Sequence, residues 1–197
     1  MSYVAARTEG TGNGTLVFTF HGTGGNEHQF HDLASQLLPG AAVVSPRGDV
    51  REAGMNRYFR RTGEGIYDMD DLWARTNALA AFLAEERSKA DALRVVGLGY
   101  SNGANILAAI AMSHPEIVDE IVLMHPLIPW TPQPQPGLAD KRVLITAGRR
   151  DPICPAPMTE ALADYLRQQG TSLTLHWHEG GHELRPEELG AMQAFLG

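Results

Sequence analysis

Residues 94–113 read RVVGLGYSNGANILAAIAMS. The apolar run over residues 94–98 predicts a buried β-strand, and the spacing of apolar residues over 102–113 predicts a helix. Between them lies Gly99-Tyr100-Ser101-Asn102-Gly103, which is a G-x-S-x-G motif. Glycines two positions before and after a serine allow a sharp turn that exposes the hydroxyl at the carboxyl edge of a sheet. The stretch therefore predicts a strand, a tight turn and a helix, with Ser101 as a nucleophile.

Short apolar runs alternate with amphipathic segments along the rest of the chain, which indicates a mostly parallel sheet covered by helices. The other predicted strands cover residues 16–20, 41–44, 121–124, 143–147 and 172–177, with an edge strand over 3–7. The other predicted helices cover residues 27–37, 70–87, 158–169 and 186–196. Segments 45–69 and 126–138 are predicted as irregular, because the first is rich in Arg and Gly and the second contains five prolines. We therefore predict an α/β fold of six to seven strands in one domain over residues 1–197.

The composition limits the classes of function. Hydrophobic residues make up 43% and charged residues 20% of the chain, as in ordinary soluble proteins, and the formal net charge is −7. A net negative chain has no general attraction for nucleic acid or anionic membranes. The sequence has no secretory signal pattern, no run of about 18 apolar residues and a single cysteine, Cys154. We expect a cytoplasmic protein that neither inserts into a membrane nor binds nucleic acid.

Two loops that follow predicted strands supply an acid and a base. Asp151 comes just after the strand over 143–147, and His182 lies in a glycine-containing turn after the strand over 172–177. The carboxyl ends of parallel strands lie at one edge of a sheet, so both side chains are expected near Ser101. The order Ser, Asp, His along the chain is the one that α/β-hydrolases use for a catalytic triad. The sequence predicts Ser101 as nucleophile, His182 as general base and Asp151 as the group that orients it.

The loop after the first buried strand reads His21-Gly22-Thr23-Gly24-Gly25. In a hydrolase of this type such a loop gives one backbone N–H to the oxyanion hole, and the residue after the nucleophile gives another. The predicted donors are the amides of Thr23 and Asn102. A phosphate-binding loop is the alternative, and it is disfavoured because neither G-K-[ST] nor G-x-G-x-x-G is present.

Other chemistry-bearing residues have plainer interpretations. His176, His178 and His182 could suggest a metal site, but no carboxylate motif completes a zinc centre, and we predict neither a metal nor a cofactor. Cys154 lacks a nucleophile turn and is interpreted as a buried or pocket-side thiol. The basic group Arg57, Arg60 and Arg61 either pairs with nearby acidic residues or binds an anionic group of a substrate.

These motifs resemble the phospholipase/carboxylesterase family of α/β-hydrolases, which also contains acyl-protein thioesterases. They are similar in particular to its bacterial carboxylesterase branch linked to quinone and aromatic-compound resistance. The runs that carry the resemblance are HGTGGNE (21–27), SPRG (45–48), GM (54–55), RR (60–61), YSNGAN (100–105), DP (151–152) and GGHEL (180–184).

The resemblance implies a serine carboxylesterase for small esters with short or medium acyl chains, without a large cap, as a monomer or homodimer. Its substrate-binding residues would be His21, Gly22, Tyr100, His125, Arg60 and Arg61. His125 stands where many members of the family have a small residue, and we expect it to narrow the acyl pocket. A thioesterase or lysophospholipase with the same triad, and a non-catalytic binding protein on this fold, stay open as alternatives.

Overall fold

The structure is a computed structural model that describes residues 3–63 and 65–197. Its strands are β1 (Ala5–Thr8), β2 (Thr15–Phe20), β3 (Ala42–Pro46), β4 (Val50–Glu52), β5 (Met55–Arg57), β6 (Arg61–Gly63), β7 (Ile66–Tyr67), β8 (Arg94–Tyr100), β9 (Glu120–Met124), β10 (Arg142–Gly148) and β11 (Ser172–His178). Its helices are α1 (His31–Leu37), α2 (Met69–Ala90), α3 (Asn102–Ser113), α4 (Ala156–Gln168) and α5 (Pro186–Leu196), with a 3-10 turn over Pro136–Leu138.

Seven strands form one sheet in the order β1-β3-β2-β8-β9-β10-β11. All neighbours in it are parallel except β1, which runs antiparallel to β3 at the edge. Phe20 pairs with Gly99, and Gly148 pairs with His178. Tyr100 and Thr146 both pair with Met124 of β9, so the ends of these strands lie within about three residues of one another. The loops that follow β2, β8, β10 and β11 therefore meet along one edge of the sheet.

Helices cover both faces of this sheet because its strands are apolar on both sides. Val96 and Leu98 of β8 face α1 and α5, where they join a buried cluster with Phe195. Val95, one residue away on β8, faces the opposite side and joins the cluster that includes Leu107 of α3. α2, α3 and α4 contribute to that second cluster. None of the helices in the described ranges is long and apolar enough to cross a membrane.

The structure confirms the predicted strands and helices, with differences at some ends. α1 begins at His31, four residues later than predicted, because residues 27–30 form a turn. That turn is fixed by the Gln29 side chain, whose Oε1 accepts the Gly22 N–H at 2.8 Å. Segment 45–69 was predicted as irregular, and this is wrong in part, since it contains the hairpins β4–β5 and β6–β7. Between β9 and β10 the chain forms no helix beyond the 3-10 turn, as expected for an enzyme without a large cap.

Candidate active site

Ser101 lies in a strained turn between β8 and α3. Its backbone has φ 52° and ψ −117°, a conformation that side-chain-bearing residues rarely adopt. The Ser101 N–H donates to the Met124 carbonyl of the next strand at 2.9 Å, which holds the turn against the sheet. A Cβ on Gly103 would collide with the carbonyl oxygens of Phe20 and His21, so this position requires glycine. The G-x-S-x-G pattern is thus explained by close backbone packing.

Ser101, His182 and Asp151 form a continuous set of contacts. Ser101 Oγ lies 2.9 Å from His182 Nε2, and His182 Nδ1 lies 2.7 Å from Asp151 Oδ2. The other carboxylate oxygen, Oδ1, accepts the backbone N–H groups of Ile153 at 2.8 Å and Cys154 at 2.9 Å. These bonds fix the carboxylate plane, so that Oδ2 faces His182. The structure brings together all three residues that the sequence singled out as a triad.

Asp151 is held as an anion. Burial alone would raise the pKa of its carboxyl group, but the hydrogen bonds from His125 and His182 outweigh burial and keep this pKa well below its usual value. His182 is also fixed from its backbone side, because Tyr100 Oη donates to the His182 carbonyl at 2.7 Å. The position of His182 is therefore fixed by Asp151 at its ring and by Tyr100 at its backbone.

The two predicted oxyanion donors lie beside a cavity that opens at Ser101. Thr23 and Asn102 both line it beside Ser101. Within the described part of the chain, neither backbone N–H has a hydrogen-bond acceptor. The loop around Thr23 is braced by the missed hairpin β4–β5, since the Gly24 N–H donates to Asn56 O at 2.9 Å. Asn102 Oδ1 accepts the Tyr58 N–H at 2.8 Å, which ties the residues after that hairpin to the nucleophile turn.

A cavity of about 570 Å³ opens beside Ser101. Its apolar wall is formed by Leu127, Pro129, Pro152, Ile153, Cys154, Pro155 and Met158. Its polar side includes Arg57 and Arg61 together with Tyr67 and Asn105. Glu52 pairs with both arginines, at 3.3 Å from Arg57 and 2.8 Å from Arg61. Among the residues that the structure describes on this side of the cavity, two guanidinium groups share one carboxylate, which leaves an excess positive charge.

Several predicted substrate contacts do not reach the cavity. Tyr100 and Arg61 line it, but Arg60 is directed away, where it pairs with Asp68 at 3.0 Å. Gly22 lies against the Tyr100 ring, which a Cβ on Gly22 would approach to 2.7 Å, and is not a lining residue. His21 is buried and structural, because its Nε2 accepts the Gly48 N–H at 2.9 Å.

The prediction that His125 narrows the acyl pocket is wrong. The His125 side chain is fully buried beneath the triad and contacts Asp151 Oδ2 through Nδ1 at 3.0 Å. Its Nε2 lies 3.2 Å from Glu188 Oε2 on α5, a residue that sequence reasoning missed. Cys154 is buried and lines the cavity, as expected, and burial raises the pKa of its thiol. The sequence indicates Arg57 only as part of a basic group, and its place at the cavity follows from the β4–β5 hairpin, which no local pattern predicts.

Besides His125 with Asp151 and His182, one fully buried cluster in the described part of the chain has the composition of a metal site. Ring nitrogens of His125 and His178 and a carboxylate oxygen of Glu188 lie within 4.8 Å of one another. However, His178 Nδ1 accepts the Gly180 N–H at 3.0 Å, so a neutral His178 has its proton on Nε2, facing the cluster. A metal-bound histidine instead offers a lone pair to the metal and donates from its other nitrogen. The donor pattern therefore fits hydrogen bonding and does not fit metal ligation.

The comparisons with known proteins agree with this site. The model of the dienelactone hydrolase family matches residues 3–184. The "Putative hydrolase MhqD" of Bacillus subtilis is 39% identical over 182 residues, which cover 91% of this chain and 90% of that protein. Atu2452 of Agrobacterium tumefaciens, a protein of unknown function, has a crystal structure with 49% identity and a TM-score of 0.93, covering 98% of this chain and 95% of its own.

A crystal structure of the Bacillus cereus carboxylesterase has 36% identity and a TM-score of 0.90, and covers 98% of this chain and 93% of its own. The predicted resemblance to carboxylesterases is thereby confirmed, although the matching family takes its name from dienelactone hydrolases. The chain is a carboxylic ester hydrolase with the α/β-hydrolase fold, and it belongs to the dienelactone hydrolase family.

Proposed function

We propose that the enzyme is a serine carboxylesterase that hydrolyses small esters with short or medium acyl chains through an acyl-enzyme on Ser101. The observation that carries this proposal is the unbroken path from Ser101 Oγ to His182 Nε2 at 2.9 Å and from His182 Nδ1 to Asp151 Oδ2 at 2.7 Å. Such a path is the geometric signature of a nucleophile, a base and an orienting acid.

The reaction would proceed in two steps. His182 Nε2 takes the Ser101 proton as Oγ attacks the ester carbonyl, and the oxyanion is stabilised by the amides of Thr23 and Asn102. His182 then gives that proton to the leaving alkoxide, which departs as the alcohol and leaves an acyl-Ser101 ester. Water then attacks the acyl-Ser101 ester, with His182 as base, and the carboxylic acid is released. Asp151 stabilises the imidazolium that forms in each step.

The cavity supports small substrates. Its volume of about 570 Å³ is within the usual range for a small-molecule site, and its apolar wall suits an acyl chain. The excess positive charge near Arg57 and Arg61 favours esters that also carry a carboxylate. An ester panel should therefore compare neutral acyl chains of two to ten carbons, about the span that such a cavity holds, with a monosuccinate ester of the same alcohol.

The decisive variant is Ser101→Ala. We expect it to lower kcat/KM on p-nitrophenyl esters by about 10⁴-fold or more, because no other group supplies the nucleophile. Ser113→Ala is the matched control, since Ser113 lies at the other end of α3 and is exposed. A fluorophosphonate should add one label to the wild type and to Ser113→Ala, and none to Ser101→Ala. Full ester hydrolysis by Ser101→Ala would refute the serine mechanism.

Thioesters of matched acyl length, assayed beside the oxygen esters, separate an esterase from the thioesterase alternative. Faster hydrolysis of thioesters would replace the proposed substrate class and leave the mechanism intact. A cytoplasmic location and a monomeric or dimeric state stay predictions.

A further inference from the structure

A buried row of charged and polar side chains continues inward from the triad and ends at α5. No step of the reaction proposed above uses the inner half of this row, which consists of His125, Glu188, His178 and Thr146. We propose that His125 is an imidazolium between Asp151 and Glu188 in the resting enzyme, and that this buried cation is a positioning residue that weakens the attraction of Asp151 for the His182 proton. The inference rests on the proposed function, because it assigns Asp151 and His182 the roles given there.

The carboxylate of Glu188 is surrounded by donors. Thr146 Oγ1 donates to Oε2 at 2.6 Å, and the Arg185 N–H donates to Oε1 at 2.8 Å. His178 Nε2, which bears the proton, lies 3.3 Å from Oε1, and His125 Nε2 lies 3.2 Å from Oε2. Hydrogen bonds to both oxygens, with two imidazole nitrogens beside them, favour the charged form of this carboxylate. Glu188 is therefore an anion, although it is 1% exposed.

Asp151 has the same arrangement on the other side of His125. Its Oδ1 accepts two backbone N–H groups, and its Oδ2 lies 2.7 Å from His182 Nδ1 and 3.0 Å from His125 Nδ1. Each nitrogen of the His125 ring thus faces a carboxylate oxygen, and Nε2 also lies 3.3 Å from His178 Nε2. A proton on both nitrogens gives each of the two buried carboxylates a donor from this ring, and the ring is then a cation. The ring itself is 0% exposed, so water cannot replace either partner.

The backbone of His125 holds the ring in this place. Its N–H donates to Thr146 O at 2.8 Å, and its carbonyl accepts the Cys154 thiol at 3.2 Å. His125 has φ 52°, which is uncommon for a residue with a side chain. The position of the ring is therefore imposed by the fold on both sides of the residue.

The electrostatic surroundings of His125 and Glu188 agree with this geometry. Burial alone would lower the pKa of His125, but the hydrogen bonds to Asp151 and Glu188 raise it to about 9. Burial alone would raise the pKa of Glu188, and the bonds from His125 and Thr146 keep it below its usual value. The titratable groups that face His125 from the elements packed around it are Asp151 and Cys154 after β10, Glu188 on α5, His178 on β11, His182 after β11 and Tyr100 on β8.

The consequence for His182 follows from charge. In the resting enzyme Asp151 and Glu188 give two negative charges and His125 gives one positive charge. When His182 takes the Ser101 proton, a second cation forms, and the buried group becomes neutral. Without the His125 cation, Asp151 would attract the His182 proton more strongly. His182 would then stay protonated, and unable to act as a base, up to a higher pH.

The first test is the pH profile of kcat/KM in His125→Gln. Two unit charges at the 5.2 Å separation of the His125 and His182 rings interact by about two pH units at an effective dielectric constant of about 20. We expect the acidic limb of the profile to move up by about 1 to 2 pH units. Met124→Leu is the control, because it alters the buried residue next to His125 without changing charge. A purely structural role of His125 would lower kcat and leave the limb in place, which would overturn the proposal.

The second test needs no active variant. In wild-type protein labelled with ¹⁵N-histidine, long-range ¹H–¹⁵N spectra should show the assigned His125 ring doubly protonated at about pH 7.5 and His178 with its proton on Nε2. In Glu188→Gln, His125 should lose a proton by this pH, because one of its two carboxylate partners is gone. A singly protonated His125 in the wild type overturns the proposal, as does bound metal that is lost in His125→Gln.

The two proposals fail separately. Retained activity of Ser101→Ala would refute the serine mechanism on which this inference rests. An inactive Ser101→Ala together with an unmoved acidic limb in His125→Gln would refute the role of the buried cation alone.

Discussion

Replacing Asp151 by asparagine should stop the chemistry without unfolding the enzyme. The Oδ1 position accepts two backbone N–H groups, from Ile153 and Cys154. An asparagine will therefore keep its oxygen there and turn its NH₂ group toward His182 Nδ1. That nitrogen must then accept, so the ring proton moves to Nε2 and faces Ser101 Oγ, 2.9 Å away. A ring in this tautomer cannot take the serine proton.

The size of the effect follows from that tautomer. A base in the wrong tautomer in a Ser-His-Asp triad lowers turnover by about 10⁴-fold, which corresponds to about 5 kcal/mol of transition-state stabilisation. The same NH₂ group opposes the N–H of His125, and an unmet buried donor costs a further 1 to 3 kcal/mol of folding stability, about 2 to 12 °C in Tm for a chain of this size.

The assay is kcat/KM on p-nitrophenyl acetate, combined with thermal unfolding of the same preparation. Asp164→Asn is the matched control, because it makes the same chemical change at an exposed position of α4, where the side chain is 66% exposed. We expect the control to behave as the wild type. If folded Asp151→Asn retains more than about a tenth of the wild-type rate, the reasoning that makes Asp151 the orienting acid is wrong.

Two further predictions concern stability. Gly103→Ala should destabilise the fold by about 3 kcal/mol or more, because the new Cβ collides with the Phe20 carbonyl. Gly190→Ala, at a position on α5 where the new Cβ would meet no atom within 4 Å, should stabilise the fold by about 0.5 to 1 kcal/mol. Unfolding in urea compares the two variants. The pKa of His125 is raised to about 9 in the folded state, so its contribution of about 3 kcal/mol is fully present below about pH 6.5 and is lost as pH rises through about 9. The difference in unfolding free energy between wild type and Glu188→Gln should shrink over that range, and a constant difference would contradict a buried His125 cation.

The sequence predicts the sheet and the triad because these depend on local patterns. Apolar runs mark the strands, and residues directly after strand ends share one edge of a parallel sheet. Ser101, Asp151 and His182 each follow a strand within a few residues, so short-range reasoning is enough to bring them together. The glycines around Ser101 carry the same information, since Gly103 leaves no room for a side chain against β2.

The rest of the site depends on distant pairings that no local pattern shows. Glu188 reads as an ordinary acidic residue in the first turn of α5, where it also forms a capping box with Arg185. Only the packing of α5 beneath the sheet edge turns it toward His125. Arg60 and Arg61 are neighbours in sequence, and the hairpin β6–β7 decides that only Arg61 reaches the cavity.

Ser101 and His125 share an unusual backbone, and this explains how the fold joins them. Each directly follows a strand, has φ 52° and donates its N–H to a carbonyl of the neighbouring strand, Met124 for Ser101 and Thr146 for His125. A backbone of this kind at a residue with a side chain costs about 1 to 3 kcal/mol and persists only where the surroundings impose it. An apolar residue at position 125 could fill the space without two buried carboxylates as partners. The repeated turn on adjacent strands instead places Ser101 at the cavity and His125 beneath it, with His182 and Asp151 as the connection between them.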